Sequence, residues 1–515
     1  MDTIDNYNVD QSMDKALRGG EQVKPETEET RKMKKEFGFF GLATFAYAVL
    51  YAFCMYKNDA GITFPFFAAG SLLFLCFSLK KLGISLKKDS VFYMISMMLL
   101  AVSTFCTDDK RIIFFNKTGI FCLMMSLLVR QFCDTSRWKL GKYFLSICQL
   151  IFGSLSELER PFSDLSAFIK SREGRKDPKV WYAVLGMVIA LPVFAIVFLL
   201  LSSADAVFRH LADMIFRYFN ISDIFGVIFR IAFFYLAVYV LACYLCDRRI
   251  KEEVKNQKNG EPVIAITITG MLSLLYLVFS GVQILYLFIG NMQLPDGYTY
   301  AEYAREGFFQ LLAVGILNFI IVLVSLNFFR DSRVLRIILT IMSLCSFIMI
   351  ASSAMRMIIY IQYYYLTFLR LLVLWALIVL FCLFAGVLME IFGKKFDLFK
   401  YCAVTVTVLY TALSFAHPDY LIASFNVAHI ADESGNWAKG NFVQSSEPYQ
   451  DFYYLAGLSA DAAPVLIPYM RDVPGLDMGD FQRALMDPDA LNNMTVRRFN
   501  VSRYIALRLI NEEKN

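Results

Sequence analysis

After a polar start, the chain alternates long apolar runs with short basic connections. Residues 1–36 mix acidic and basic side chains, as in EQVKPETEETRKMKKE, and have neither an apolar core nor a small-residue cleavage site. They read as a disordered tail that ends in a basic anchor. From Phe37 the apolar runs approach the ~20 residues that a helix needs to cross a hydrocarbon layer of about 30 Å. Eleven crossings are expected, at 37–56, 62–79, 90–107, 112–131, 181–203, 226–246, 263–290, 307–329, 337–360, 365–391 and 399–416. The fourth is the weakest, because Asn116 and Lys117 lie near its start. A re-entrant fourth run would change the early topology.

Charge in the connections orients this pattern. With the N-terminus on the cytoplasmic side, the cytoplasmic connections hold 29 Lys and Arg and the short opposite ones hold 7. Basic residues are retained on the cytoplasmic face, and one miscounted crossing would invert every later connection. The odd number of crossings then puts residues 417–515 outside the cytoplasm.

Two apolar pieces are not crossings. YFLSICQLIFGSL (143–155) is too short and lies among basic residues, which suits an interfacial helix. From Asp205 to Asn220, the charges Asp205, Arg209, Asp213 and Arg217 recur every four residues opposite an apolar face. That spacing predicts an ion-paired helix lying along the outer membrane surface. Residues 417–515 differ again, with intermittent helical spacing and no Cys. A pair of short helices is expected around EPYQDFYYLAGLSADAAPVLIPYM, with Ser459 as an N-cap, and a last amphipathic helix in VRRFNVSRYIALRL. Residues 417–489 hold 11 acidic and 3 basic side chains, and residues 490–511 hold four Arg. The two parts can pair with each other, giving a small helical extracytoplasmic domain.

Composition fixes the class. With 57% hydrophobic and 18% charged residues, 49 Phe and 28 Tyr, the apolar side chains exceed what a water-facing surface tolerates. The expected fold is therefore an all-α polytopic bundle of about 11 spans in contact with the lipid bilayer. A net charge of +5, spread in clusters at span ends, excludes a nucleic-acid partner. All 11 Cys lie between Cys54 and Cys402, in or beside spans, where they act as small apolar residues. Cys243 and Cys246 form a C-x-x-C pair that no second pair or His cluster supports as a metal or redox site.

Five segments carry a resemblance: LLLSSADAVF, TYAEYAREGFFQLLAVGILN, SSAMRMIIYIQYYYLTFLRL, HPDYLIASFNV and YLAGLSADAAPVL. Together they resemble a bacterial polytopic membrane family catalogued as domain of unknown function 4173, from roughly Trp181 onward. The resemblance implies a bacterial cell-membrane location and supplies no activity or residue roles. Within it, His417 stands where Asn is expected, and Tyr363 to Tyr365 stands where a Gly-containing turn is usual.

The candidate site lies between Ala301 and Trp375. Arg356 falls about 20 residues into one crossing and Arg370 about six residues into the next. Both are therefore expected toward the outer leaflet, on the same side as Glu302, Arg305 and Glu306. Charges at bilayer depth are costly and are functional candidates by default. Two guanidiniums flanked by Tyr360, Tyr363, Tyr364 and Tyr365 suit an anionic group. The expectation is an outward-facing cavity for an anionic lipid or lipid-linked envelope precursor; snorkelling, or an internal tie to Glu306, is the structural alternative. A sensor or scaffold whose C-terminal domain binds an envelope protein is a second reading, and a membrane-embedded transferase a third. No G-x-S-x-G, H-E-x-x-H, Walker or dinucleotide pattern supports an enzyme, and no cofactor is expected. His417, Asp419, His429, Asp432 and Glu433 come nearest to a metal set, but they read as a solvated polar entry to the tail.

Overall fold

The computed structural model describes residues 26–135, 138, 140–172, 221–250, 258–285, 307–393, 396–434, 454–471 and 495–514, with some positions between 186 and 208. The helices are α1 (Glu28–Lys35), α2 (Phe37–Met55), α3 (Thr63–Leu82), α4 (Ser90–Cys106), α5 (Lys110–Phe132), α6 (Leu140–Gly153), α7 (Arg160–Arg172) and α8 (Ile221–Cys246). After them come α9 (Pro262–Gln283), α10 (Phe308–Phe328), α11 (Arg333–Tyr364), α12 (Phe368–Phe392), α13 (Leu398–Phe415), α14 (Pro418–Ser434), α15 (Ala463–Arg471) and α16 (Val501–Lys514). Among the described residues the chain is all-α.

Nine of these helices are long and apolar enough to cross a membrane, namely α2, α3, α5 and α8–α13. The 17-residue apolar helix α4 packs between α3 and α5. Ten of the eleven expected runs thus appear as helices, and most of 181–203 lies outside the described residues. The fifth α helix is continuous for 23 residues, so Asn116 and Lys117 do not break it. Local chemistry marks several ends. Asp109 and Asp397 cap α5 and α13 by accepting from the Arg111 and Lys400 amides at 2.9 and 3.0 Å. Gly83 ends α3 in the left-handed region at φ +83°.

The bundle has two halves. One packs α2–α5 with α8 around Met97, Leu127, Leu150 and Tyr239; the other packs α9–α12 around Leu339, Met342, Met357 and Phe384. The thirteenth helix packs against α12 on one side and α4 on the other. Its seam with α4 and α5 is polar. Fully buried Asn116 accepts from Tyr410 at 2.7 Å and Ser414 at 2.8 Å, while Ser103 and Ser414 share a 2.5 Å hydrogen bond. Hydrocarbon offers no partner to an amide, so Asn116 is tolerated at this depth because these hydroxyls satisfy it.

The connections that alternate along the chain collect at two opposite ends. At the basic end, Asp247 accepts from Thr30 at 2.6 Å and from Arg160, Glu157 pairs with Arg160 and Arg249, and Asp89 pairs with Arg130 and Lys400. The short helix α6 packs at this end, with Tyr143 stacked on Phe399 at 3.9 Å. At the other end the C-terminal segment covers the junctions α2–α3, α4–α5 and α11–α12. Its Leu455, Leu466, Ile467, Ala506 and Ile510 enter the same core as Met357, Ile361 and Val373.

Asn116→Ala removes the acceptor for the Tyr410 and Ser414 hydroxyls, and each intramembrane hydrogen bond contributes roughly 0.6–1.7 kcal/mol. The variant should unfold in detergent with about 1–3 kcal/mol less stability than the parent chain. Thermal unfolding at fixed detergent and lipid composition measures it, and an unchanged midpoint would refute the seam's role.

Candidate functional site

Arg356 lies on α11, eight residues before its end, or about 12 Å at 1.5 Å per residue. It is 8% exposed. Its Nη2 donates to Gln283 Oε1 of α9 at 3.3 Å, and the same oxygen accepts from Ser352 at 2.6 Å. Gly307 approaches from the start of α10; with φ +100°, a Cβ there would meet Arg356 Nη1 at 2.9 Å. The close approach and the left-handed backbone both call for glycine.

Arg370 is placed differently. Its Nη1 donates to the carbonyls of Tyr364 and Tyr365, and its guanidinium lies 4.3 Å from the Tyr360 ring and 5.9 Å from that of Tyr364. It therefore caps the end of α11, where orphan carbonyls need donors. Tyr360 links the two arginines indirectly, since its ring lies 5.8 Å from that of Phe308, the residue after Gly307. Glu302, Arg305 and Glu306 lie outside the described residues. So do Arg209, Asp213 and Arg217, while Asp205 accepts from the Phe208 amide at 2.7 Å.

The structure adds a second polar centre. Asp461 is 5% exposed and accepts from Thr107 Oγ1 and, at 2.8 Å, from the Asp108 amide; His417 Nδ1 lies 3.2 Å from its Oδ2. Asp419, 1% exposed, accepts from the Ser459 amide at 2.9 Å and from Arg111. Arg111 also makes two 2.9 Å bonds to Asp109 and lies 3.8 Å from the centre of the Phe368 ring. Arg503 donates to Asp108 at 2.6 Å, and Asn500 donates to the carbonyls of Ala60 and Thr107. The last basic helix thus pairs with the α4–α5 junction through Arg503 and packs against residues 460–471 of the acidic part, most of whose other carboxylates lie outside the described residues. Ser459 precedes the short helix 460–462 as foreseen, but its side chain makes no capping bond to that helix; its amide donates to Asp419 at 2.9 Å and its carbonyl accepts from the Ala462 amide at 3.0 Å.

Burial works against charge on Asp461, yet the hydrogen bonds from His417, Thr107 and the Asp108 amide hold its pKa below the ordinary carboxylate value. The bond to Asp461 raises that of His417 against the opposing effect of burial. Burial raises Asp108 despite Arg503, and it raises Asp419, helped by the charge of Asp109 and opposed by Arg111.

Two positions singled out in the sequence have left-handed backbone. His417 has φ +48° and Tyr365 φ +62°, a region that favours Asn or Gly. The three members of the candidate metal set whose side chains are described have separate partners: His417 meets Asp461, Asp419 meets Arg111, and His429 stacks on Phe425 at 3.9 Å. Among the described residues no three His, Cys, Asp or Glu side chains converge on one point.

Comparison with known proteins places the chain. The model of a family described as Domain of unknown function (DUF4153) matches residues 94–469. The chain belongs to this family. Its number differs from the one that the five segments suggested, whereas the expectation of a membrane family of unknown function stands. The DUF4153 match runs from α4 into α15 and so takes in both halves of Asp461's network except Asn500 and Arg503. No curated protein matches, and no solved structure does.

The signs of these shifts set a pH profile. The contribution of His417 is complete below its ordinary pKa of about 6.5 and is lost as pH rises through the raised folded value. That of Asp461 is present above its ordinary pKa of about 3.9 and is lost as pH falls through the lowered folded value. The raised carboxyls of Asp108 and Asp419 also lower stability as pH rises through their range. Protection of residues 454–471 from hydrogen exchange should therefore be greatest between about pH 4 and 6.5. Asp461→Asn should cost about 3 kcal/mol or more of that protection and remove the part of the alkaline loss that His417 contributes in the parent chain. An identical pH profile for parent and variant would refute the pair.

Proposed function

We propose that this integral membrane protein binds and handles an anionic lipid or lipid-linked precursor of the bacterial cell envelope, with Arg356 as the central cation. In this reading the basic end and the N-terminus face the cytoplasm. The C-terminal segment lies on the opposite face, and the binding cavity opens there.

One observation carries the reading: a buried guanidinium lies about 12 Å from the end of α11, with Gln283 Oε1 among its acceptors. Placing an arginine at such depth costs roughly 2.5–3.5 kcal/mol on insertion scales. A purely structural position would serve as well with an apolar side chain. Phe308 and Tyr360 on one side and Ser352 with Gln283 on the other give the amphipathic surroundings that a head group and its chain require. Glu302, Arg305 and Glu306 would line the same opening and bias it toward particular head groups. Arg370, engaged by helix-end carbonyls, shapes the rim. A scaffold role for the C-terminal segment is the weaker reading, because Leu455, Leu466, Ile467, Ala506 and Ile510 of that segment enter the core shared with α10–α12.

Arg356→Gln should reduce co-purifying anionic lipid or precursor about tenfold or more at unchanged yield of folded protein, since a hydrogen bond to a charged group contributes roughly 1.5–3 kcal/mol. Arg356→Lys should restore part of it. Mass spectrometry of lipids extracted from the full-length chain reads this directly. An unchanged lipid profile, or loss of the folded protein in both variants, would leave Arg356 a structural residue and end the proposal.

A further inference from the structure

The first two turns of α5 and the start of α12 border a second feature, an open surface groove of about 370 Å³ lined by Lys110, Arg111, Phe114, Phe115 and Phe368. We infer that this groove is a binding site for one anionic phospholipid of the surrounding leaflet, with the phosphate at Lys110 and Arg111 and an acyl chain along the phenyl rings. The site is separate from Arg356 and does not depend on the reading above.

The argument starts from spacing. Lys110 and Phe114 stand four residues apart, as do Arg111 and Phe115, so both cations sit one turn above the rings on one face of the helix. The rings belong to a membrane-crossing helix, and Phe114 is 64% exposed. In a bilayer the molecule beside such a face is a lipid, whose phosphate stands at the level where the crossing begins. Apolar rings below and cations above match the two parts of a phospholipid in order.

Charge is sorted across the site in the same sense. Asp109 and Asp419 lie buried behind Arg111, whereas Lys110 is exposed and the Arg111 side chain is partly so. Both carboxylates are engaged through Nε and Nη2 of Arg111, and Nη1 takes no part in those bonds. The negative groups therefore hold the guanidinium over Phe368 and leave the open side cationic. A neutral zwitterionic lipid lacks the net charge to exploit this, and free phosphate lacks the chain.

The test uses the detergent-purified full-length chain titrated with phosphatidylglycerol, phosphatidylcholine or inorganic phosphate, with the unfolding temperature as readout. Phosphatidylglycerol should raise that temperature saturably, and the other two should not. Lys110 is exposed, so Lys110→Gln should unfold at the parent's temperature without lipid while needing about fivefold more phosphatidylglycerol for half the effect. Lys110→Glu should need still more, and Phe114→Ala should weaken the response through the chain. Lys117→Glu, two turns further along the same helix, is the control and should respond like the parent. Equal losses in the Lys110 and Lys117 variants would mean diffuse attraction, equal stabilisation by inorganic phosphate would mean a simple anion site, and equal stabilisation by phosphatidylcholine would mean no charge selection. Each of these results overturns the proposal.

Discussion

The buried carboxylate of Asp461 is the interaction on which one whole end of the molecule depends. It gathers Thr107 and Asp108 from the α4–α5 junction and His417 from the α13–α14 junction. An ionised carboxylate taken from water is costly unless donors surround it, and removing one partner leaves the rest uncompensated. Asp461 therefore works as a lock: with its donors present the C-terminal segment is held in a single register, and without them burial of the charge opposes docking. Asp419 repeats the arrangement a short distance away, with Ser459 on one side and Arg111 on the other.

The consequence for packing is a shared core. Apolar residues of the C-terminal segment meet the ends of α10–α12, so carboxylate placement and hydrophobic burial reinforce each other. Along the bundle, α13 has the corresponding role between the two helical halves, with Asn116 as its polar contact. In both places specificity comes from a polar group that has one satisfied arrangement, whereas apolar packing alone admits many.

Arginines near the membrane divide by what they touch. Arg370 serves helix-end carbonyls, Arg111 serves two carboxylates and a ring, and Arg356 has Gln283 among its partners inside the bundle. Residue type and depth alone do not separate these roles. The neighbours decide how each guanidinium is oriented, and so which of its N–H groups can meet an incoming anion.

Much of the fold was legible along the chain because the bilayer imposes a length and a polarity that each crossing must meet by itself. Runs such as 37–56 and 399–416 became helices within a residue or two, and even the doubtful run at Asn116 did so. Arg356 and Tyr360 were legible as candidates for the same local reason. The network around Asp461 was not, although TDDKR, HPDY and SADA are all visible as short polar islands. Their meeting brings TDDKR to residues more than 300 positions away, and pairing at that distance depends on how helices stack, which no local period encodes. The groove at Lys110 had the same status: its two turns of α5 are plain in the sequence, but Phe368 and Asp419 reach it only through the tertiary fold. Sequence thus determined what each segment must be to survive in hydrocarbon, and tertiary structure alone decided which charges face one another, because electrostatic partners are chosen by distance in space.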